Sequence, residues 1–239
     1  MRGIIDADLF CHWAAYGSDT PEESAEMTAE LIIETMEASF ADEFLVAVKG
    51  KGNFRKEVGN YKANRKELDE DTKAKLVAGH KVLVNDFGAV MAHGMEADDQ
   101  CRMWAEEAKA EGVPYVIIGE DKDLRCIAGP HFNPKKKQHF YVEEDEADMF
   151  FHAQLLAGDS TDGIPGLWRV GLKTAMNKFL KDVPMGERMG RVLEVWEEKQ
   201  PDTWEEKLRE TGIHIHILRS ADDSFDKVME EYYASTVPV

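Results

Sequence analysis

The chain has 239 residues, 43% of them hydrophobic, which suffices for one large core or two smaller ones, and its net charge of −18 opposes broad attraction to nucleic acid. No apolar run is long enough to span a membrane, and an acid at position 6 comes too early for a signal peptide, so we expect a cytoplasmic protein. Three scattered cysteines without a CxxC pair indicate free thiols rather than disulfides or a zinc site.

Apolar runs and helical patterns alternate along the first half of the chain. The predicted strands are 2–6, 44–48 and 115–118, with 124–128 as a candidate fourth. The predicted helices are 21–41, 69–92 with interruptions at Gly79 and Gly88, and 93–110. Loops are predicted at 50–65, as a surface loop, and at 129–138. This alternation predicts an α/β fold with a mostly parallel central sheet flanked by helices.

The second half is predicted to be mainly helical. A hairpin interrupts the helical pattern at 163–173, and 213–217 alternates like a strand. His214 and His216 would share one face of that strand, where they are either metal ligands or part of an exposed edge strand, and we favour the edge strand.

A basic stretch stands out from the acidic chain between positions 49 and 66. Only one acid, Glu57, accompanies its seven cations, which are Lys49, Lys51, Arg55, Lys56, Lys62, Arg65 and Lys66. A local excess of cations supports a phosphate-bearing partner in spite of the negative total. Lys135-Lys136-Lys137 either contact duplex DNA or form a solvated loop.

Acidic residues recur at spacings that favour a metal site. They are Asp6, Glu96-Ala97-Asp98-Asp99, Asp121, Asp123, Asp159 and Asp162. Singly, each suits a helix cap, a turn or a solvated surface. Jointly, with Asp6 and Asp121 following buried strands, they predict gathered carboxylates that need cations between them. Oxygen-only ligands suit Mg²⁺ or Mn²⁺, and two such ions about 4 Å apart can hydrolyse phosphodiesters.

These motifs resemble the 5′-nuclease family, which includes flap endonucleases, the 5′→3′ exonuclease domain of bacterial DNA polymerase I and bacteriophage 5′-exonucleases. The similarity covers roughly residues 2–180, and the small size is most like a phage member. Its motifs are Glu96 to Asp99, Gly119 to Leu124, Gly158 to Gly166, Val170 to Ala175, and Asn53-Phe54-Arg55 with Tyr61 to Arg65. A near match to a P-loop at 166–174 is spoiled by Leu172, so an ATP site is not expected.

The resemblance implies a fold and a division of the chain. Residues 1–150 would form a metal-dependent nuclease core with a helical arch. Residues 151–239 would form a helix–hairpin–helix DNA-binding region and a C-terminal extension.

The resemblance also implies a two-metal site and its partners among the cations. Asp6, Glu96, Asp98 and Asp99 would hold one Mg²⁺ or Mn²⁺, and Asp121, Asp123, Asp159 and Asp162 the other. Lys62, Arg65 and Asp121 would act in catalysis. The implied DNA contacts are Arg55, Tyr61, Lys62, Arg65, Gly166, Arg169, Gly171, Lys173 and Thr174, with K⁺ at the hairpin.

The activity implied by the resemblance is that of a 5′→3′ exonuclease or flap endonuclease. Its substrates would be DNA with 5′ ends, flaps or nicks and RNA–DNA hybrids, processed during phage replication or repair. It would work as a monomer without a membrane partner, in the host cytoplasm if the chain is phage-encoded.

The chain departs from the family at Val48, where an aspartate ligand is usual. One hypothesis is that Asp8, two residues after Asp6, takes over that role. The alternative is a catalytically weakened protein of the same fold that binds DNA junctions. A third interpretation, an RNase of the related PIN-like fold, is disfavoured by the duplex-binding hairpin.

Overall fold

The computed structural model of the chain describes residues 1–236 and divides into two units. The sheet unit comprises Met1–Asn53 and Lys66–Val142, and the helical unit comprises Phe54–Arg65 and Glu143–Val239. The functional division at residue 150 that the resemblance implies stays a prediction.

The sheet unit is built on six strands. They are β1 Arg2–Asp6, β2 Glu43–Lys49, β3 Val90–Ala92, β4 Tyr115–Ile118, β5 Gly129–Asn133 and β6 Gln138–Val142. Their order across the sheet is β3-β2-β1-β4-β5-β6, and every neighbouring pair is parallel except the antiparallel pair β5–β6. This arrangement confirms the predicted α/β fold with a mostly parallel sheet.

Four helices cover the two faces of this sheet. They are α1 Asp8–Gly17, α2 Pro21–Ser39, α3 Glu70–Asp86 and α4 Ala97–Glu111. Helices α1 to α3 bury Phe10, Ile32 and Leu83 against one face, and α4 buries Cys101 and Ala105 against the other. Alternate residues of the strands supply the two cores, as side chains that point to opposite faces of a strand require.

Two helices of this unit begin at capping boxes. At α2, the Thr20 side chain accepts from the Glu23 backbone N–H, and Pro21 occupies the first turn. At α4, Glu96 and Asp99 form the same reciprocal arrangement. The cap places the start of α4 at Ala97, four residues after the predicted start, and α2 ends two residues before its predicted end.

Gly79 does not interrupt its helix, contrary to the prediction. Helix α3 runs through it because α3 packs closely against α1 and α2. A Cβ at Gly79 would lie 2.7 Å from Oγ1 of Thr28 and 3.2 Å from Sγ of Cys11. The glycine therefore serves close helix packing rather than chain reversal.

Three further predictions for this unit are wrong. Residues 90–92 form β3 instead of the end of a helix. The candidate strand at 124–128 is largely a 3₁₀ turn, Lys122–Cys126, which Asp121 caps by accepting from the Asp123 backbone N–H. The predicted loop at 129–138 contains β5 and the start of β6.

The helical unit holds five α-helices among its described residues. They are α5 Glu144–Ala157, α6 Leu172–Thr174, α7 Arg188–Lys199, α8 Trp204–Ile215 and α9 Phe225–Thr236. Helix α6 continues into a π-helical segment, Ala175–Leu180. The core of the unit gathers Leu155, Trp196, Leu208 and Phe225. The predicted helical character of this region is confirmed, whereas the arch and the helix–hairpin–helix motif stay predictions.

The prediction of an exposed edge strand at 213–217 is wrong. The first residues of this segment end α8, and both histidines are buried. Nε2 of His214 lies 2.9 Å from the Val58 carbonyl, and Nε2 of His216 lies 2.8 Å from Oδ2 of Asp223. The two histidines therefore serve packing and hydrogen bonding inside the unit.

Within residues 1–236, no helix has both the length and the apolar character needed to cross a membrane.

Candidate active site

Asp6 ends β1 and is the most crowded of the predicted carboxylates. Desolvation is the main cause that raises its pKa, to about 8 from an ordinary 3.8, and the charges of Asp8 and Asp121 raise it further. Glu96 adds a smaller contribution of the same sign. Four carboxyl groups from three parts of the sheet unit therefore converge at this strand end.

The first turn of α4 fixes the predicted Glu96-Ala97-Asp98-Asp99 motif. Asp99 is fully buried, and its Oδ2 accepts from the Glu96 backbone N–H at 2.9 Å. Oδ1 of Asp98 accepts from the Asp99 N–H at 2.7 Å. One oxygen of each aspartate therefore accepts a hydrogen bond from a backbone N–H at the start of α4. These hydrogen bonds also fix the direction in which the two carboxylates point.

Asp121 and Asp123 follow β4, as the sequence predicted. Oδ1 of Asp121 accepts from the Asp123 N–H at 2.9 Å. The pKa of the Cys126 thiol is raised, mainly because the thiol is buried. Arg102 lowers this pKa, whereas the nearby charges of Asp123, Asp98 and Asp121 raise it. Carboxylates after β4 and carboxylates at the start of α4 therefore act on one buried thiol.

This donor set fits a hard divalent ion. The converging groups of the sheet unit offer carboxylate oxygens, the ligands that Mg²⁺ and Mn²⁺ prefer. Burial is the main cause of the raised pKa of Asp6, and the charges of Asp8 and Asp121 add to it, so ionising these carboxyl groups together is costly. A bound dication would offset that repulsion.

Val48, at the position of the usual family aspartate, is fully buried in the apolar core under α1 to α3. Asp8 lies near that strand end, because both of its oxygens accept from the Lys49 backbone N–H, at 3.0 and 3.2 Å. Nε2 of His80 lies 2.8 Å from Oδ1 of Asp8. The hypothesis for Asp8 assumed that the first strand continues past Asp6, and this assumption is wrong, since β1 ends at Asp6 and Asp8 begins α1. The carboxylate nonetheless stands at the end of β2.

In the helical unit, Asp159 and Asp162 are both buried, and their carboxylate oxygens lie within 4.8 Å of each other. A turn holds them together. Asp159 pairs with Ile164 through two backbone hydrogen bonds, and Oδ1 of Asp159 accepts from the Thr161 N–H at 2.8 Å. The predicted ligand pair is therefore placed together by the structure.

Lys62 and Arg65 lie against Asp162. Nζ of Lys62 is 3.6 Å from one carboxylate oxygen, and Arg65 donates to the other at 2.5 Å. The Lys62 N–H also donates to the Asp162 carbonyl at 2.8 Å, and Lys62 has a left-handed φ of 56°. Asn64, which was not among the predicted site residues, donates toward the carbonyls of Ser160 and Thr161. Its place in the sequence between Lys62 and Arg65 is the feature that could have indicated a role at this site.

Arg55 and Tyr61 are placed differently from the prediction. Arg55 is buried, and its guanidinium donates to the carbonyls of His214 and His216 at 3.1 and 2.5 Å. Tyr61 is buried and stacks on the ring of His214 at 5.0 Å. The surface loop predicted for 50–65 is thus partly core, and these two side chains hold the helical unit together rather than facing solvent.

The predicted hairpin exposes cations close to a point where the backbone of Gly166 packs tightly against that of Ala157. A Cβ at Gly166 would lie 2.1 Å from the carbonyl carbon of Ala157, so only glycine fits there. Gly171 has open space around it, so packing does not require a glycine. Arg169 and Lys173 are exposed and Thr174 is half-buried. Residues 163–181 contain four cations and no acid, which makes this surface a local exception in an acidic chain.

Curated relatives align with more than half of the sequence of this chain. A DNA polymerase I of Rhizobium leguminosarum is 27% identical in an alignment 163 residues long, which covers 59% of this chain and 16% of that protein. A 5′-3′ exonuclease of Buchnera aphidicola is 29% identical over 53% of this chain and 48% of its own length. The chain thus spans about a sixth of the polymerase and about half of the exonuclease.

Solved structures share the fold over nearly the whole chain. The flap endonuclease of bacteriophage T5, in a complex with DNA and metal ions, superposes with a TM-score of 0.68 at 18% identity, covering 98% of both chains. The T5 5′-exonuclease with bound zinc gives a TM-score of 0.66 at 19% identity, covering 98% of this chain and 99% of that one.

The sequence profile of the 5′-3′ exonuclease N-terminal resolvase-like domain matches residues 5–152, which is more than half of the chain. The match includes the carboxylates of the sheet unit and the basic stretch. This protein belongs to the 5′-3′ exonuclease family.

Proposed function

We propose that the chain is a metal-dependent 5′→3′ exonuclease and flap endonuclease. It would hydrolyse phosphodiesters at 5′ ends, nicks or flaps of duplex DNA and remove RNA primers from DNA, in phage replication or repair. The observation that carries the proposal is the crowding of carboxyl groups around Asp6 in a member of this family. The T5 flap endonuclease, of the same fold, was solved with DNA and metal ions.

The proposed cofactors are two Mg²⁺ or Mn²⁺ ions. In the sheet unit the ligands would be Asp6, Glu96, Asp98, Asp99, Asp121 and Asp123, and in the helical unit Asp159 and Asp162. When bound, such ions supply Lewis acidity and a nucleophile at neutral pH. We infer that Asp8 supports the ligands near Asp6, because it supplies a carboxylate at the end of β2 while Val48 is buried in the core.

Lys62 and Arg65 would hold the scissile phosphate and stabilise the charge that develops on it. Both cations already lie against a carboxylate, which supports their access to charged groups on that surface. We leave Arg55 and Tyr61 out of the DNA contacts, since packing accounts for their side chains.

The hairpin would bind the phosphates of one duplex strand. Arg169 and Lys173 would supply charge, Gly166 and Gly171 would let the backbone approach, and Thr174 would offer a backbone N–H, with K⁺ at the carbonyls. We place the protein as a monomer in the cytoplasm, that of the host if it is phage-encoded.

A second candidate is a DNA-junction-binding protein that cuts poorly, and the burial of Val48 is the observation that favours it. To separate the two, a flap substrate labelled at the 5′ end and a copy labelled at the 3′ end are incubated with Mg²⁺ or with Mn²⁺. The nuclease predicts short 5′-labelled products and a 5′-phosphate on the downstream strand. Binding without cleavage in either metal would support the junction binder.

A further inference from the structure

Exposed aromatic rings and lysines form a surface on the sheet unit that neither the proposed catalysis nor the fold requires. We call it the β6 surface and define it as Phe40, His139, Tyr141 and Lys135 to Lys137. It lies at the end of α2 and on the antiparallel edge strand β6, whose first four residues are all exposed.

Phe40 is the least expected residue of this surface. It caps α2 in the left-handed conformation, with φ 58° and ψ 20°, and 76% of its surface is exposed. Glycine or asparagine is the favoured residue at such a cap, because a Cβ and a bulky ring are strained there. Phenylalanine at this position therefore contributes little to the stability of the fold. Binding of a ligand to the exposed ring would explain its presence.

The rings on this surface are aligned. Phe40 stacks on His139 with centroids 5.7 Å apart and planes 20° from parallel. His139 also contacts Phe132 of β5, at 4.7 Å between centroids. Tyr141 is two residues beyond His139 on the same strand, so it shares that face of the sheet, and it is 60% exposed. The result is a supported platform of open aromatic surface.

The charge of the surface is positive in a chain whose total is strongly negative. Residues 124–142 contain Arg125, Lys135, Lys136 and Lys137 and no acid. Two acids do face it: Glu120 lies 2.8 Å from Nζ of Lys135, and Glu34 lies 3.6 Å from Nζ of Lys137. Exposed pairs of this kind contribute little to stability, so a phosphate can compete for the lysines.

A cleft of about 440 Å³ adjoins the platform on the same face. Its lining includes apolar residues such as Trp13, Leu31 and Phe132, the cations Lys135 and Lys137, and one acid, Glu34, which pairs with Lys137. Its volume lies in the range of pockets that hold small ligands. An apolar floor beneath a cationic rim suits a planar base that carries a phosphate.

We propose that the β6 surface is a second nucleic-acid site that binds single-stranded DNA or RNA. Two or three bases stack on Phe40, His139 and Tyr141 or enter the cleft, and the lysines pair with the intervening phosphates. Proteins that bind single strands without sequence preference combine these two features. The surface shares no residue with the carboxylates or the cations assigned to cleavage, so it stands whether or not the protein cuts DNA.

Anisotropy of fluorescein-labelled dT12 and rU12, titrated with the full chain in EDTA, tests the proposal. The variant combines Phe40→Gly with Tyr141→Ala. We expect its affinity for both oligonucleotides to fall about tenfold or more, because stacking contributes roughly 1–3 kcal/mol per base. The Phe40→Gly substitution alone should raise the unfolding temperature, since it relieves the left-handed cap. A loss of binding by this single variant therefore cannot be ascribed to unfolding.

Tyr233→Ala is the matched control, because Tyr233 is an exposed tyrosine of the helical unit. We expect it to bind dT12 as the wild type does. In a second arm, photo-crosslinking of 5-iodouracil oligonucleotides followed by peptide mapping should label residues 132–142. Lys62→Ala should keep that crosslink while its cleavage of a flap is lost.

The proposal is overturned if the double variant binds both oligonucleotides with wild-type affinity. Crosslinks confined to residues 54–65 or 163–181 would also overturn it. In that case the β6 surface would be a candidate for a protein partner instead. Cleavage by the wild type in Mg²⁺ with unchanged dT12 binding by the double variant would reject this inference alone and leave the proposed nuclease intact.

Discussion

Nζ of Lys62 lies 3.6 Å from Oδ2 of Asp162, while Nη2 of Arg65 lies 2.5 Å from Oδ1 of the same carboxylate. Two proposed phosphate-binding cations thus share one proposed metal ligand within the helical unit. The backbone N–H of Lys62 also donates to the carbonyl of Asp162, which fixes the spacing between the two chain segments. The negative charge of Asp162 is therefore balanced by Lys62 and Arg65. Replacing any one of these three residues should alter the electrostatic environment of the other two.

Replacing Lys62 should impair catalysis more than substrate binding. For Lys62→Ala we expect kcat on a flap substrate to fall about 100- to 1000-fold, the range for loss of one group that stabilises transition-state charge. Lys62→Gly should lose as much activity, yet it should be more stable, because glycine tolerates the left-handed φ of 56°. Lys56→Ala is the control, a cation of the same basic stretch. Wild-type kcat in either Lys62 variant would contradict the assigned role.

Asp6 should make the metal-free protein less stable as the pH rises. Its folded-state pKa is about 8, against 3.8 for an unperturbed carboxyl, so the folded state binds the extra proton between these values. The contribution to the free energy of unfolding is present below about pH 4 and is lost as the pH rises through 8. Asp6→Asn should remove this slope and raise the unfolding temperature in EDTA, more at pH 8 than at pH 5. Equal shifts at both pH values would count against the crowded carboxyls.

Restoring the usual family aspartate should not strengthen the metal site. Val48 is fully buried among apolar residues, so Val48→Asp would place a carboxylate in the core and lower stability by roughly 3 kcal/mol or more. Asp8→Ala should instead reduce the stoichiometry or affinity of Mn²⁺ in calorimetry. Val48→Ala controls for lost volume. A stable Val48→Asp protein with tighter Mn²⁺ binding would show that Asp8 does not replace the missing ligand.

The helical unit should depend on a half-buried ion pair between Arg219 and Asp223. Asp223 accepts from His216 at 2.8 Å and from Arg219 at 2.9 and 3.0 Å. Burial raises the pKa of Asp223, but hydrogen bonds from His216 and Arg219 more than offset this and hold it well below its ordinary value. Asp223→Asn should therefore cost about 2 kcal/mol, given the partial exposure of Arg219.

The wild type should begin to lose the stabilisation by Asp223 as the pH falls below about 4, because a group with a lowered pKa contributes its full stability only above the unfolded-state pKa and loses it progressively toward the folded-state pKa. Urea unfolding of both proteins at pH 7 and pH 3 measures this difference. A gap between them that stays constant across this range would contradict the lowered pKa. Asp222→Asn, next in the chain, is the control.

The central strands β1, β2 and β4 were predictable because each is an apolar run that is buried on both faces. Strands β5 and β6 were not, since Gly129, Pro130 and two histidines interrupt the pattern, and pairing with β4 is what orders them. The alternation at 213–217 suggested a strand because the histidines were counted as polar and exposed. In the structure they are buried by contacts distant in sequence, which no local pattern contains.

The candidate site was largely predictable as a set of residues but not in its contacts. The carboxylates after β1 and β4 follow from the rule that strand ends of a parallel sheet share an edge. Arg55 is buried where it donates to the carbonyls of His214 and His216, which are more than 150 residues away in the sequence, so no local pattern predicts this contact. The position of Asp8 beside Lys49 likewise arises from a turn after β1 that the sequence did not reveal.

Cleavage of a 5′-labelled flap and a nicked duplex in Mg²⁺, Mn²⁺ or EDTA, with Asp121→Asn beside the wild type, tests the central claim most directly. Asp121→Asn keeps the side-chain oxygen that accepts from the Asp123 N–H, so it should fold. We predict cleavage by the wild type in either metal, none in EDTA, and a loss of at least about 100-fold in the variant. Tight binding of both substrates without metal-dependent cleavage by the wild type would contradict the nuclease and favour the junction-binding protein.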